Sequence, residues 1–206
     1  VENPEAMPPQ LYLITPADAE PESFPATLMA VLNAAEVSAL LVARGILDDA
    51  AYARLAGAVV NVGQGAGCAV LVEDDIALAR RLRADGVHVT GGPAALKSAT
   101  AALKPAMIVG AGNLGSRHDA MTAGEMDIDY VFFGSTDGNT DPRAAELAEW
   151  WAQTFEIPAV LSQPDAAPGT ANARGAEFLA LSQSLWAAAT PSRAMADIAA
   201  ALGASS

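Results

Sequence analysis

Short apolar runs of four to six residues alternate with longer alanine-rich stretches in which apolar positions recur every third or fourth residue, and this repeats along the whole chain. The pattern predicts strands over Gln10–Thr15, Ser38–Ala43, Gly67–Val72, Gly86–Val89, Ala106–Gly110, Asp129–Phe133, Pro158–Leu161 and Glu177–Leu181. Helices are expected over Phe24–Ala35, Ala50–Val62, Ile76–Arg83, Ala94–Leu103, Ser116–Gly124, Arg143–Phe155 and Pro191–Leu202. The seventh connection, Asp165–Arg174, is expected to hold a short or irregular helix. Pro164, Pro168 and Gly169 interrupt it, and Thr170 and Asn172 are poor helix formers.

Every crossover is long enough to return the chain to a parallel neighbour. Eight strand–helix units with no strand left over point to an α/β chain closed into a (β/α)8 TIM barrel. An open doubly wound sheet uses the same alternation. Against it, no G-x-G-x-x-G follows the first strand, where Thr15-Pro16-Ala17-Asp18 stands instead. The chain of 206 residues suits one core. The expected layout is a single barrel domain over 10–206, preceded by an extended or disordered arm over 1–9, with Gly203–Ser206 frayed.

Composition refines this reading. Apolar residues make up 52% but aromatics only 5%, so Ala, Val, Leu and Ile are expected to build the core. With 11 basic against 24 acidic side chains, the net charge is −13. That charge repels polyanions, and Arg80, Arg81 and Arg83 share one helix whose simplest role is a solvated face. No nucleic-acid partner is expected. Small anions would need local donors such as N–H groups at helix starts. Cys68 has no partner for an internal disulfide, and no apolar run is long enough to span a bilayer. The polar start over Val1–Gln10 does not read as a secretion signal, so a soluble, cytoplasmic protein without a membrane partner is expected.

One stretch carries more than fold information. Val70-Leu71-Val72-Glu73-Asp74-Asp75-Ile76-Ala77-Leu78-Ala79, followed by Ala84-Asp85-Gly86-Val87-His88-Val89, resembles the central signature of the thiamine-phosphate synthase and TenI family. In that family an apolar strand ends in Asn-Asp and a helix leads on to Gly-Ala-Asp-Gly-Val-His. Leu11-Tyr12-Leu13-Ile14-Thr15, Asp129-Tyr130-Val131-Phe132-Phe133-Gly134 and Ile157-Pro158-Ala159-Val160 fall in the family's order. The resemblance implies a transferase of thiamine biosynthesis: a pyrimidine pyrophosphate loses pyrophosphate and is captured by a thiazole phosphate, with Mg²⁺ neutralising the leaving group.

Position by position, the resemblance is uneven. Asp74 matches a metal carboxylate, so it is both the metal candidate and a catalytic one, while Glu73 replaces the neighbouring asparagine. The second metal carboxylate falls on Pro93. The Gln-x-Arg-Glu-Lys run becomes Leu41-Val42-Ala43-Arg44-Gly45, leaving Arg44 near the family arginine. Gly110-Ala111-Gly112-Asn113 retains only Asn113 of the fifth-strand segment, and His118 lies six residues beyond Gly112. Arg143 stands near the lysine of the sixth loop, where Asp137 and Asp141 would repel an anion. Ser162-Gln163-Pro164 replaces a Gly-Gly at the seventh strand, whereas Ser182, with Gln183, keeps the serine of the phosphate-binding turn.

Asp74, His88 and Asn113 are therefore the catalytic candidates, with Arg44, Glu73, Arg143, Ser182 and Gln183 the substrate-binding ones. Glu73 and Asp75 beside Asp74 also read as a solvated loop in which Asp75 caps the next helix. His88 reads either as a group titrating near neutrality in the pocket or as a structural histidine. Gly91-Gly92 reads as an anion-binding turn or a plain one. Asp137, Asn139 and Asp141 lack the rest of a calcium loop. Adjacent Trp150 and Trp151 cannot both face the core, so either one is exposed as a candidate homodimer contact or both are partly buried under a loop. Three functions stay open: a synthase-like enzyme taking a small phosphorylated or heterocyclic ligand, a non-catalytic or repurposed binding barrel that has lost the parent activity, and an enzyme with a new reaction using Asp74, His88 and Asn113.

Overall fold

The computed structural model describes residues 8–204. The expected arm lies outside them except for Pro8 and Pro9, as do Ser205 and Ser206 of the expected tail. Eight strands run in chain order: β1 Gln10–Ile14, β2 Ala39–Val42, β3 Ala69–Glu73, β4 Gly86–Val89, β5 Ile108–Ala111, β6 Tyr130–Phe133, β7 Ala159–Ser162 and β8 Phe178–Leu181. Each pairs in parallel with the next, and β1 pairs with β8, closing the barrel. Helices α1 Phe24–Leu32, α2 Asp49–Gly65, α3 Ile76–Leu82, α4 Gly92–Leu103, α5 Arg117–Gly124 and α6 Ala144–Ala152 fill the first six crossovers. Two more, α7 Gln183–Trp186 and α8 Pro191–Ala204, follow β8. No described helix is long and apolar enough to cross a membrane.

Local chemistry explains the helix starts. Asp48, Asp75 and Ser116 accept hydrogen bonds from the N–H groups of Ala51, Leu78 and Asp119, satisfying donors that the first turn leaves free. Asp75 is thus the cap of α3. Arg83 closes that helix in the left-handed conformation, at φ +56°.

The seventh crossover departs from the helical pattern altogether. Among the described residues, the segment between β7 and β8 is a series of turns. The Gln163 side chain holds it, donating to the Thr170 carbonyl at 2.9 Å and accepting from the Asn172 N–H at 3.0 Å. The extra short helix comes one strand later, as α7, and its Trp186 Nε1 donates to the Ile14 carbonyl at 2.7 Å. At the other end of the chain, α8 includes Gly203 and Ala204, which the sequence places in a frayed tail.

Two apolar layers follow from the alternation of strand side chains. Leu13, Leu40, Val42, Val70, Val72, Val87 and their neighbours face outward and pack under the helices. Each fully buried Leu or Val of this kind contributes roughly 1.5–3 kcal/mol. The aliphatic core that composition predicts is found here. Inside the barrel, Tyr12, Tyr130 and Phe132 join Ile14, Leu41, Leu71, Val160 and Ala180, so the lumen is part aromatic as well as aliphatic.

At the N-terminal end, three acids tie neighbouring strands together. Asp85, Asp129 and Glu177 stand just before β4, β6 and β8, and accept hydrogen bonds from the N–H groups of Val70, Val109 and Ala159 on the preceding strands, each at 2.7 Å. Lys104 Nζ also meets Asp129 at 2.6 Å. These acids belong to the stability of the barrel, at the end opposite the candidate site.

Candidate active site at the C-terminal mouth

Glu73 ends β3, and the alternation that turns Leu71 inward turns its side chain inward too. Its carboxylate accepts the Arg44 N–H at 2.7 Å and the Thr136 hydroxyl at 2.9 Å. Thr136 belongs to the loop after β6, so the contact spans the mouth. From behind, the Tyr52 hydroxyl accepts the Glu73 N–H at 3.0 Å and donates to the Val42 carbonyl at 2.8 Å, fixing the strand end.

Asp74 is exposed and takes up a left-handed conformation at φ +51°. Its N–H donates to the His88 carbonyl at 2.9 Å. Its carboxylate accepts the Thr90 N–H at 2.7 Å and also the Thr90 hydroxyl. The Asn113 side chain donates to the Thr90 carbonyl at 3.4 Å, with Asn113 itself at φ +56°. Asp74, Thr90 and Asn113 thus form one polar rim over β3, β4 and β5.

His88 lies below that rim, fully buried in the lumen. Its Nδ1 is 2.8 Å from the Tyr130 hydroxyl, which lies 3.0 Å from that of Tyr12. Burial lowers its pKa from the ordinary 6.5 to about 4, against an opposing pull from Asp74. The expectation of a group titrating near neutrality is corrected: desolvation keeps the imidazole uncharged. Burial likewise drives the Tyr12 and Tyr130 hydroxyls well above their usual range.

On the opposite side, Ser182 and Gln183 follow β8 and border a hollow of ≈ 680 Å³ that also touches Thr15 and Thr136. The buried Ser182 Oγ has no hydrogen-bond partner. Asp18, Glu20 and Asp137 line the same hollow, and no Lys, Arg or His does. The Ser135 hydroxyl and the Asn139 N–H hold Asp137 below its usual pKa, so it carries a charge there.

The two arginines are engaged elsewhere. Arg44 pairs with Asp49 at the start of α2 and lies over the Tyr52 ring, 5.0 Å from its centre. Arg143 sits at the start of α6, 3.7 Å from Asp141. Neither borders the hollow that Ser182 lines. Trp151 is buried, whereas Trp150 is half-buried under the Arg117 guanidinium, 4.9 Å away.

The fold therefore gathers Glu73, Asp74, His88 and Asn113 on one arc of the mouth, faces them with Ser182 and Gln183, and leaves Arg44 and Arg143 on the periphery. Sequence reasoning did not single out Tyr12, Thr90, Tyr130 or Thr136. Tyr12 and Tyr130 are apolar-strand residues whose inward direction follows from alternation. Thr90 and Thr136 carry no sequence signal.

Among the described residues, no three His, Cys, Asp or Glu side chains are grouped to hold a metal. Asp74 is a single exposed carboxylate whose oxygens keep lone pairs beyond those Thr90 uses. That fits Mg²⁺ of the kind that draws most of its oxygens from water and substrate phosphates, and does not fit a closed protein cage.

Comparison with known proteins gives this mouth a context. The sequence pattern of the thiamine monophosphate synthase family matches residues 11–184. The thiamine-phosphate synthase of Hyphomonas neptunium is 37% identical over 191 residues, covering 86% of each chain. That of Erythrobacter litoralis is 38% identical over 192 residues, 87% of this chain and 89% of the relative. Among solved structures, thiamine phosphate pyrophosphorylase from Pyrococcus furiosus superposes with a TM-score of 0.75 at 18% identity, over 94% of this chain and 95% of that one. A 3-hexulose-6-phosphate synthase from Salmonella typhimurium reaches 0.74 at 14% identity, over 94% and 98%. These two likenesses speak for the barrel alone, whereas the sequence match runs through the strand ends that build the mouth: the chain belongs to the thiamine-phosphate synthase family.

Proposed function

We propose that this chain is a working thiamine-phosphate synthase, joining a pyrimidine pyrophosphate to a thiazole phosphate at the C-terminal mouth. In that reaction the bond from the pyrimidine's methylene carbon to the pyrophosphate oxygen breaks. The thiazole ring nitrogen bonds to the same carbon, and pyrophosphate leaves. The observation that carries the reading is Asp74, exposed at the end of β3 and braced by Thr90 within a chain whose residues 11–184 match the family. No observation favours a barrel that has lost the activity.

Asp74 is the residue that would hold Mg²⁺, whose positive charge stabilises the departing pyrophosphate when bound. Glu73 keeps the loop after β6 docked over the mouth. Asn113 and Thr90 keep the Asp74 carboxylate oriented. Ser182 Oγ offers an unspent hydroxyl to the thiazole phosphate, and Gln183 borders the same hollow. Because Asp18, Glu20 and Asp137 repel a lone phosphate, that end of the substrate binds with its charge partly neutralised. Arg143 reaches the pyrophosphate only by leaving Asp141, and Arg44 serves mainly to shape the β2 loop. A homodimer through the Trp150 face belongs to the same reading.

The test is direct: purified protein, both substrates and Mg²⁺, with thiamine phosphate detected by mass. Product that rises with enzyme concentration and vanishes on chelation is the expected result. Its absence at high enzyme concentration overturns the reading.

A further inference from the structure

The N-terminal end of the barrel holds another hollow, of ≈ 230 Å³, at the opposite end of the lumen from the mouth. Its origin is an underfilled layer. Ala39 on β2 and Ala69 on β3 are register partners, and alternation turns both inward, one layer below Leu41 and Leu71. Two adjacent strands therefore contribute only methyl groups where a barrel packs bulky branched side chains. Ile108 and Phe178 border the same space and stay half-buried.

The inner end of this hollow presents carbon. Tyr12 and Tyr130 close it, and their hydroxyls are spent on each other, at 3.0 Å, and on His88 Nδ1, at 2.8 Å. Water held in a cavity needs several polar partners, and this end offers none. Asp129 is the one carboxylate among the described lining residues, and both of its oxygens are engaged, by Lys104 Nζ at 2.6 Å and by the Val109 N–H at 2.7 Å. An ionic ligand finds no free countercharge there. At the rim, the Ser38 hydroxyl donates to Gln10 Oε1 at 2.7 Å, which leaves the Gln10 side-chain nitrogen as a donor for a ligand.

We infer that this hollow is a binding site for a small, flat, neutral aromatic molecule with one polar substituent: the ring lies among Tyr12, Tyr130 and Phe178, and the substituent accepts from Gln10. The size agrees. An apolar cavity of roughly 150 Å³ takes benzene, so this one takes a single substituted ring and has no room for a helix or a strand of another chain. Three aromatic side chains around one small space favour a ring over an aliphatic ligand, because edge and face contacts add to apolar burial. The site is remote from Asp74 and does not rest on the synthase reading.

The test is carbon–proton NMR of the full chain with labelled alanine and isoleucine methyl groups, titrated with phenol. Ala39→Gly, Ala69→Gly and Ile108→Val assign the signals. Phenol is expected to move the Ala39, Ala69 and Ile108 methyl signals by ring current and to saturate at about 0.1–1 mM, the range for a ligand of its size. The Ala43 signal, near the mouth, stays in place. Benzoate adds a charge to the same ring and is expected to bind at least about tenfold more weakly. Cyclohexanol lacks the flat ring and is expected to bind roughly threefold more weakly. Gln10→Ala is expected to weaken phenol roughly 3–10-fold, the effect of one neutral hydrogen bond. Ala69→Leu, which fills the hollow, is expected to abolish the shifts; if it does not fold, the wild-type titration and Gln10→Ala decide.

Methyl signals unmoved by phenol, benzoate or cyclohexanol binding as tightly as phenol, an unchanged affinity in Gln10→Ala, or a full response in Ala69→Leu overturns the inference. These readouts need no turnover. Failure to form thiamine phosphate would leave them standing, and an empty hollow would leave the product assay untouched.

Discussion

The Glu73 carboxylate accepts the Thr136 hydroxyl at 2.9 Å across the mouth of the barrel, joining the end of β3 to the loop after β6. Its Thr136 end borders the ≈ 680 Å³ hollow that Ser182 and Gln183 also line. In this chain a charged side chain occupies a position that the family's strand end gives to asparagine.

Removing either partner should loosen that loop. Thr136→Val and Glu73→Gln are each expected to lower kcat/KM, and a double-mutant cycle in urea unfolding should return a coupling of about 1 kcal/mol or slightly more. Additive effects would show that the two residues act independently.

The fold was legible because alternation of strand and helix survives any local irregularity, and each strand lies within two residues of its expected place. The seventh crossover was half legible: Pro164 and Pro168 announce a break, but nothing in the sequence says that α7 forms after β8 instead. The site was less so. Asp74 and Ser182 stand out by motif, while the role of Glu73 depends on Thr136, which lies 63 residues away in the chain. The partners of the two arginines were not legible, because charge in a motif says nothing about what the side chain meets, and Asp49 and Asp141 are those partners.

Stability should depend on pH through His88. Its pKa is about 4 when folded and near 6.5 when unfolded, so the unfolded chain takes up a proton as pH falls through 6.5 while the folded chain does not. The contribution is fully present above 6.5 and is lost progressively down to about 4, roughly 3 kcal/mol across the window. Urea midpoints measured from pH 7 to 4 should fall more steeply for the wild type than for His88→Asn. Parallel curves would assign the slope to carboxylates alone.

The acids at the N-terminal end should behave oppositely to those at the mouth. Asp85→Ala or Glu177→Ala strips a strand N–H of its acceptor and is expected to cost about 1–3 kcal/mol of stability while leaving kcat/KM within about twofold. Urea unfolding and product formation, measured on the same preparations, separate the two effects.

Asp74 bears most directly on the central claim. Asp74→Asn keeps the side chain's shape and can still accept from Thr90, but removes the charge. Thiamine phosphate formation by wild type and Asp74→Asn, measured side by side with saturating Mg²⁺, is expected to differ by about 10²-fold or more in kcat/KM. Equal rates, or no product from the wild type, would contradict the account.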